Sequence, residues 1–499
     1  MSTDVAAGAD AADVTAGGGS AGAARGALDR LRLHPGIAVV VGACAVLFHQ
    51  VMRMGLAGDV YFHLAAGNWM LAHHAVIRTD VFSYTVAGRP WLADEWGFEY
   101  GLAWAVQHVG PVSFWLASAG SCAAAVALGA AKWRRDGAGW LWTALLSCLA
   151  AAGLLVGLAV RPQDPSYMFF SAELLVLALA RRRTVWLVAL PPLLVVWTNV
   201  HGSFLLGLGV IALEVLWSVL PEMTGRLAVS TRLPRPAIAL TGVVSFAATL
   251  LNPHGFSLLT YAAHVSSSTE LTSMIEEWQS PNFHNLFVFG LVMLPLLYLV
   301  GTLGFSSRRI ALEDLVIACV MLVATLHAIR FLPYLVLAWC AVLSRATPLR
   351  RETIRPSLVS APLAVLLALA LLSGHHVAAG SPVRGTGSGA MPVRAAAYLK
   401  HRPGRVFATY WWSDYLTYVG IPVFVDGRTD LYFGTGILET YGNVSSLTVD
   451  PDPTFRRFDV RYVLWNRSSA LDVFLSHDPR WKAVLRSGPA VVYEHVGSW

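Results

Sequence analysis

Charge is what this 499-residue chain has least of: Asp, Glu, Lys and Arg supply 13% of it, against roughly 25% in soluble domains. That scarcity, beside 56% hydrophobic residues, excludes an ordinary water-soluble globular protein. Cysteine is scarce as well. The five present (Cys44, Cys122, Cys148, Cys319 and Cys340) all fall in apolar runs, so neither a disulfide framework nor a thiolate metal centre follows from them. The glycine-rich Gly385-Thr-Gly-Ser-Gly389 lacks the preceding strand that a phosphate-cradling loop needs. Internal repeats are absent to inspection. The Ala/Gly-rich N-terminal extension, residues 1–30, reads as disordered and cytoplasmic. It lacks the basic, apolar and cleavage regions of a signal peptide in order, so the first apolar run is expected to be retained.

What the chain has instead is apolar runs, and a helix needs roughly 20 apolar residues to cross the hydrocarbon core. Runs near 36–53, 111–131, 138–160, 164–180, 185–200, 203–220, 236–251, 285–303, 311–329, 331–345 and 357–374 predict about eleven transmembrane helices. The net charge of +6 lies in clusters between runs: Arg25, Arg30 and Arg32; Lys132, Arg134 and Arg135; Arg181 to Arg183; Arg226, Arg232 and Arg235; Arg308 and Arg309; Arg345 to Arg355. With eleven spans all of these fall on one side. That positive-inside pattern puts the N-terminus in the cytoplasm and the C-terminus outside, and it accounts for the basic balance without nucleic acid as a partner.

The expected fold class is therefore an α-helical polytopic membrane protein with a small C-terminal extracytoplasmic α/β domain. Its membrane domain spans 36–374, with a large first external loop over 54–110. A linker follows at 375–390. Residues 391–499 alternate helix-like and strand-like pieces, with strands expected at Arg405–Tyr410, Pro422–Asp426, Val460–Asn466 and Val491–His495.

Polar and aromatic clusters fall on the face opposite the basic loops. The first loop carries Asp59 and His63, which share one face of a continuing helix, and Asp94, Glu95 and Glu99 among Trp91 and Trp96. Asp59 can take a proton from a hydroxyl or simply cap a helix. Asp94 and Glu95 can hold a divalent cation, or begin an interfacial helix with the tryptophans in the headgroup belt. Arg161, Gln163 and Asp164 end the third run, where a guanidinium can bind phosphate or an Arg–Asp pair can fix a turn. Asn199 and His201 end the fifth run, where polar groups are costly without a function. Asn252 and His254 repeat that style, as function or as helix capping. Glu276, Glu277 and Trp278 precede the eighth run. Arg330 stands out in external segments otherwise poor in basic residues, as a second phosphate ligand. Glu173 and Glu214 lie within apolar runs and carry no assignment. Asp426-Gly-Arg428-Thr-Asp430 and Trp411-Trp-Ser-Asp414 read as strand-end turns with paired charges.

Four pieces taken together resemble those of GT-C class membrane glycosyltransferases, in particular a bacterial, mannosyltransferase-like set that uses polyprenyl-phosphate sugars. They are Asp59-Val-Tyr-Phe-His63 with Arg89-Pro-Trp-Leu-Ala-Asp94-Glu95-Trp96; Arg161-Pro-Gln163; Asn199-Val-His201-Gly202; and Glu277-Trp-Gln-Ser-Pro281 with Asp426-Gly-Arg428-Thr-Asp430. The likeness spans 36–499. It implies inverting sugar transfer from a polyprenyl-phosphate donor to a hydroxyl of a lipid, glycan or protein acceptor, at the outer face of the bacterial inner membrane. Asp59 matches the loop-one acidic base. Placed by chemistry, His63, Arg161, Gln163, His201 and Arg330 are the substrate- and phosphate-binding candidates, and Asp94, Glu95, Asn199 and Glu277 form a second rank. GT-C loops often carry paired acids, but Val60 follows Asp59 here, which leaves Asp94 and Glu95 as the acids for any divalent cation. Two other readings compete: a transporter or flippase of a lipid-linked glycan, which should place polar groups near mid-membrane, and a non-catalytic assembly subunit, which would tolerate loss of Asp59.

Overall fold

A computed structural model describes residues 34–54, 56, 58–220, 227–228, 231–261, 275–305, 310–346, 357, 359–372, 391–497 and 499. Each of the eleven apolar runs is helical: Pro35–Met54, Val112–Arg135, Trp140–Gly157, Gln163–Ala180, Thr184–Thr198, Phe204–Val219, Arg235–Ala248, Leu286–Phe305, Leu312–His327, Leu332–Arg345 and Ser360–Leu372. Among the described residues, four are long and apolar enough to cross a membrane by length and composition: Pro35–Arg53, Val112–Arg135, Trp140–Gly157 and Leu286–Phe305. The second contains a π-turn at Leu116–Gly120, and Thr184–Thr198 opens with a 3-10 turn. The N-terminal extension 1–30 and the linker 375–390 lie outside the described residues.

Helix Leu332–Arg345 is buried along its length and forms the axis against which Trp140–Gly157, Leu312–His327 and Val112–Arg135 pack. Close approach to that axis is set at Gly153, where a Cβ would collide with Val336. Buried charges tie the basic-loop ends of the helices together. Lys132 pairs with Asp136 at 2.8 Å and Asp314 at 3.2 Å, Arg345 with Asp136 at 3.0 Å, and Arg181 with Glu214 at 2.5 Å. Some of the cations of the basic clusters therefore also brace the bundle. Strand β1 (Leu227–Ala228) pairs in parallel with β2 (Ile310–Ala311) on the connecting segments.

The C-terminal residues form a four-stranded sheet. Strands β3 (Arg405–Ala408), β4 (Val460–Asn466), β5 (Trp481–Ser487) and β6 (Ala490–His495) stand in the order β3-β4-β6-β5. The β3–β4 pair is parallel and the other two pairs are antiparallel. Three of the four expected strands appear. Pro422–Asp426 does not form a strand: Val423 alone bridges to Val406 on one side and to Ser83 of the first loop on the other. Pro422 lacks an N–H, and the Asp426-Gly427 turn follows at once, so no longer ladder can form.

The first loop thereby joins this sheet. Tyr84 donates its N–H to Val423 O at 3.1 Å, and Val423 returns an N–H to Phe82 O at 3.2 Å. The Thr85 hydroxyl donates to Phe424 O at 2.6 Å. At the centre of the seam lies Arg428, 1% exposed, which donates to Asp80 and to Asp426, each at 2.6 Å. Its guanidinium sits beside the rings of Phe82 and Trp91. Asp80 also accepts from the N–H groups of Phe82 and Ser83 and from the Ser83 hydroxyl, so this loop aspartate anchors a turn and takes a cation at once.

Removing one partner of a buried ion pair strands the other charge, at a cost of about 3–5 kcal/mol. Arg428→Ala is therefore expected to lower the thermal midpoint and to speed proteolytic cutting of the first loop between 76 and 95, read by mass spectrometry on the protein in detergent. Unchanged cutting would mean that the seam is held elsewhere.

Candidate functional site

The helix Asp59–His73 continues almost directly from Pro35–Met54, and helix Trp96–His108 packs across it. Gly67 permits the close approach, since a Cβ there would collide with the Glu99 carbonyl oxygen. The crossing brings His63 Nδ1 within 3.1 Å of Glu99 Oε1. A second contact fixes the loop to the bundle. Gly97 donates its N–H to Asn199 O at 2.9 Å, and Trp96 Nε1 donates to Asn199 Oδ1 at 2.8 Å.

These helices, the ends of the bundle and the C-terminal sheet enclose a cavity of about 920 Å³. Asp59, His63, Asp94, Glu95, Arg161, Gln163, His201, Glu277 and Arg330 all line it, although they come from segments spread over some 270 positions. Asn199 is not among the lining residues. Its amide donates to Val195 O and Leu251 O, so it positions the first loop instead of facing the space. Asn252 and His254 likewise serve the frame. Asn252 closes its own turn, and His254 Nε2 lies 3.2 Å from Ala93 O of the first loop. Asp164 turns away to accept from the Ser118 hydroxyl at 2.5 Å.

Two charge environments divide the cavity. In one, Arg161 bridges two acids, with Nη2 at 2.8 Å from Asp59 Oδ2 and Nη1 in direct contact with Glu277 Oε1. In the other, Glu95 lies between two imidazoles, 3.9 Å from His63 Nε2 and 3.6 Å from His201 Nε2, with Glu99 and Asp94 close by. Burial pushes Glu99 up to about 8 and raises Asp94 and Glu95 above the usual carboxylate range, with the neighbouring acids adding to it. Burial also lowers His63 and His201 to about 3, so both imidazoles are neutral. Neutral histidines beside protonated acids form a polar, largely uncharged wall.

Arg330 differs from Arg161. Among the described residues it makes no salt bridge, and its guanidinium lies over the Trp278 ring, 4.4 Å from the centroid. A cation stacked on an aromatic ring and open to a cavity is a ready anion site. The C-terminal unit adds Tyr410, Trp411, Arg428, Thr429 and Asp430 to the lining. Asp426-Gly-Arg428-Thr-Asp430 does pair its own charges, as the sequence suggests. Its second partner, Asp80, and its place at the cavity wall carried no local signal.

Asp94 and Glu95, the acids expected to serve any divalent cation, both line the cavity. Among the described residues no group of three or more His, Cys, Asp or Glu side chains could hold a metal ion.

With that geometry in view, solved structures supply a fold. The archaeal oligosaccharyltransferase AglB from Archaeoglobus fulgidus, in complex with an inhibitory peptide and a dolichol-phosphate, matches over 86% of this chain and 69% of its own, with a TM-score of 0.58 and 13% identity. The chain has a GT-C fold. Crystal structures of the Archaeoglobus fulgidus oligosaccharyltransferase in the apo form (TM-score 0.55) and tethered to an acceptor peptide containing the NVT sequon (0.54) match over the same shares at 12% identity. No family model and no curated relative matches the chain.

The raised pKa of Glu99 has a testable sign. Between the ordinary carboxylate range and about pH 8 the folded protein holds a proton there that the unfolded chain has lost. Stability must fall as pH rises through that window and level off above it. Glu99→Gln is expected to flatten the decline in thermal midpoint between pH 5 and 8; an equally steep decline in the variant would place its source in another group.

Proposed function

We propose that this chain is an integral-membrane glycosyltransferase that moves a sugar from a polyprenyl-phosphate donor to an acceptor hydroxyl at the outer face of the bacterial inner membrane, with inversion at the anomeric carbon. The observation that carries the reading is Arg330, stacked on Trp278 and, among the described residues, without a salt bridge, in the same cavity as Asp59. Inverting transfer needs an anion site for the leaving group and a base for the nucleophile, and this space offers both.

In this mechanism Asp59 accepts the acceptor hydroxyl proton as its oxygen attacks the anomeric carbon. The bond from that carbon to the phosphate oxygen breaks, and the electron pair leaves with the lipid phosphate. Arg330 and the neutral His201 meet the developing phosphate charge, and donors aimed at such charge act most strongly where water is excluded. Arg161 acts chiefly by fixing the Asp59 carboxylate, because both of its terminal nitrogens already face acids. His63 and Gln163 lie beside Asp59 and Arg161 and contact the donor sugar. The apolar helices and the fold of the oligosaccharyltransferases support a membrane enzyme with a lipid-linked donor.

The test is mass profiling of lipid-linked sugars and surface glycans in a deletion strain complemented in turn by wild type, Asp59→Asn and Arg330→Ala. Wild type is expected to restore one defined sugar. Asp59→Asn should lower transfer by about 10²–10⁴-fold, and Arg330→Ala by about 10²–10³-fold with donor accumulating. Both variants should insert normally. Full restoration by Asp59→Asn would remove the base and favour an assembly role, and whole glycans trapped inside would favour a transporter.

A further inference from the structure

Asp59 opens the first loop helix, and Glu277 sits in the short turn Glu276–Trp278, far away in sequence. Their carboxylates nevertheless converge on one point at the cavity wall. Two acidic oxygens from separate segments, open to a water-accessible space, are what a hard divalent cation takes, with waters or a substrate phosphate completing its shell. Here that point is filled. The Arg161 guanidinium holds both carboxylates, one through each terminal nitrogen. A guanidinium cannot be deprotonated in a protein and has no acceptor, so it cannot itself join a metal's shell. Its Nε is buried without a partner, so among the described residues the two acids are the polar groups that fix its position.

We propose that Arg161 is the permanent cation of this site, occupying the position that a divalent ion would otherwise take between Asp59 and Glu277. The site then requires no metal, and removing the side chain uncovers a latent Mg²⁺/Mn²⁺ site. Charge argues in the same direction. Among the described residues, one guanidinium pairs with the two carboxylates. Without Arg161 two like charges would face each other, an arrangement relieved by taking up a proton or a cation. Placing the built-in cation here also explains why Arg330, and not Arg161, stays free for an anion.

The inference goes beyond the transferase reading and does not depend on it, because binding of Mn²⁺ is read without any sugar donor. The experiment is electron paramagnetic resonance titration of Mn²⁺ into the full-length protein in lipid nanodiscs. Wild type is expected to bind none at this site. Arg161→Ala should take up one Mn²⁺ per chain, displaced by Mg²⁺, with affinity at least about tenfold above any wild-type background, and adding Glu277→Gln should abolish it. One Mn²⁺ on wild type that is lost in Glu277→Gln would overturn the proposal. So would an Arg161→Ala or Arg161→Gln protein that keeps a cooperative thermal transition and binds none. The wild-type arm decides even where neither variant folds.

Discussion

A guanidinium withdrawn from water must have its donors met, or the cost runs to several kcal/mol. Arg428 meets that condition at two of its three nitrogens: Nη2 donates to Asp80 in the first loop and to Asp426 in the C-terminal unit, and Nε donates to Asp426, while Nη1 is buried without a partner among the described residues. The strand bridge from Ser83 through Val423 to Val406 repeats the constraint with backbone groups, and Trp91 and Phe82 close over it. Because Trp91 leads directly into Asp94 and Glu95, the seam also decides where the acidic wall of the cavity lies. The position of that wall thus depends on a contact made at the edge of the cavity.

Within the cavity the same residue type is put to different uses by its surroundings. Asp59 faces a guanidinium, whereas Glu99 faces a neutral imidazole in a crossing of two helices that excludes water. Glu99 is 1% exposed, and its second oxygen has no partner, which is tolerable for a protonated acid and costly for an ionised one. One part of the space is therefore rich in fixed charge and the other is polar but nearly neutral. A substrate with a charged end and an uncharged hydroxylated end matches that division.

Much of the frame was legible in the sequence, since eleven apolar runs are hard to mistake and all eleven are helices. Strand β4 ends where the alternation at Val460–Asn466 ends. Strand β5 escaped notice because it is an edge strand, and Lys482 and Arg486 break the apolar pattern on its open side. The cavity residues were legible as types, since charges and histidines at the ends of apolar runs need a reason to be there. Their partners were not. Nothing near Arg161 says that Glu277 will reach it, and nothing near Arg428 names Asp80. Asn199 shows the converse: its polar group at a helix end clamps Trp96 and Gly97.

The partnership of Asp80 and Arg428 crosses 348 positions of chain. The first loop leaves the ribosome early, yet its turn at Asp80 and the edge at Ser83 lack their partners until the last hundred residues have been made. During that interval, some 17–70 seconds at about 5–20 residues per second, the loop presents an unpaired strand edge and an acid destined for burial. Biogenesis of this protein is accordingly a waiting problem, in which an early segment must be kept from wrong pairings until the tail arrives. A chain cut short before Arg428 would insert its helices and still never assemble its cavity.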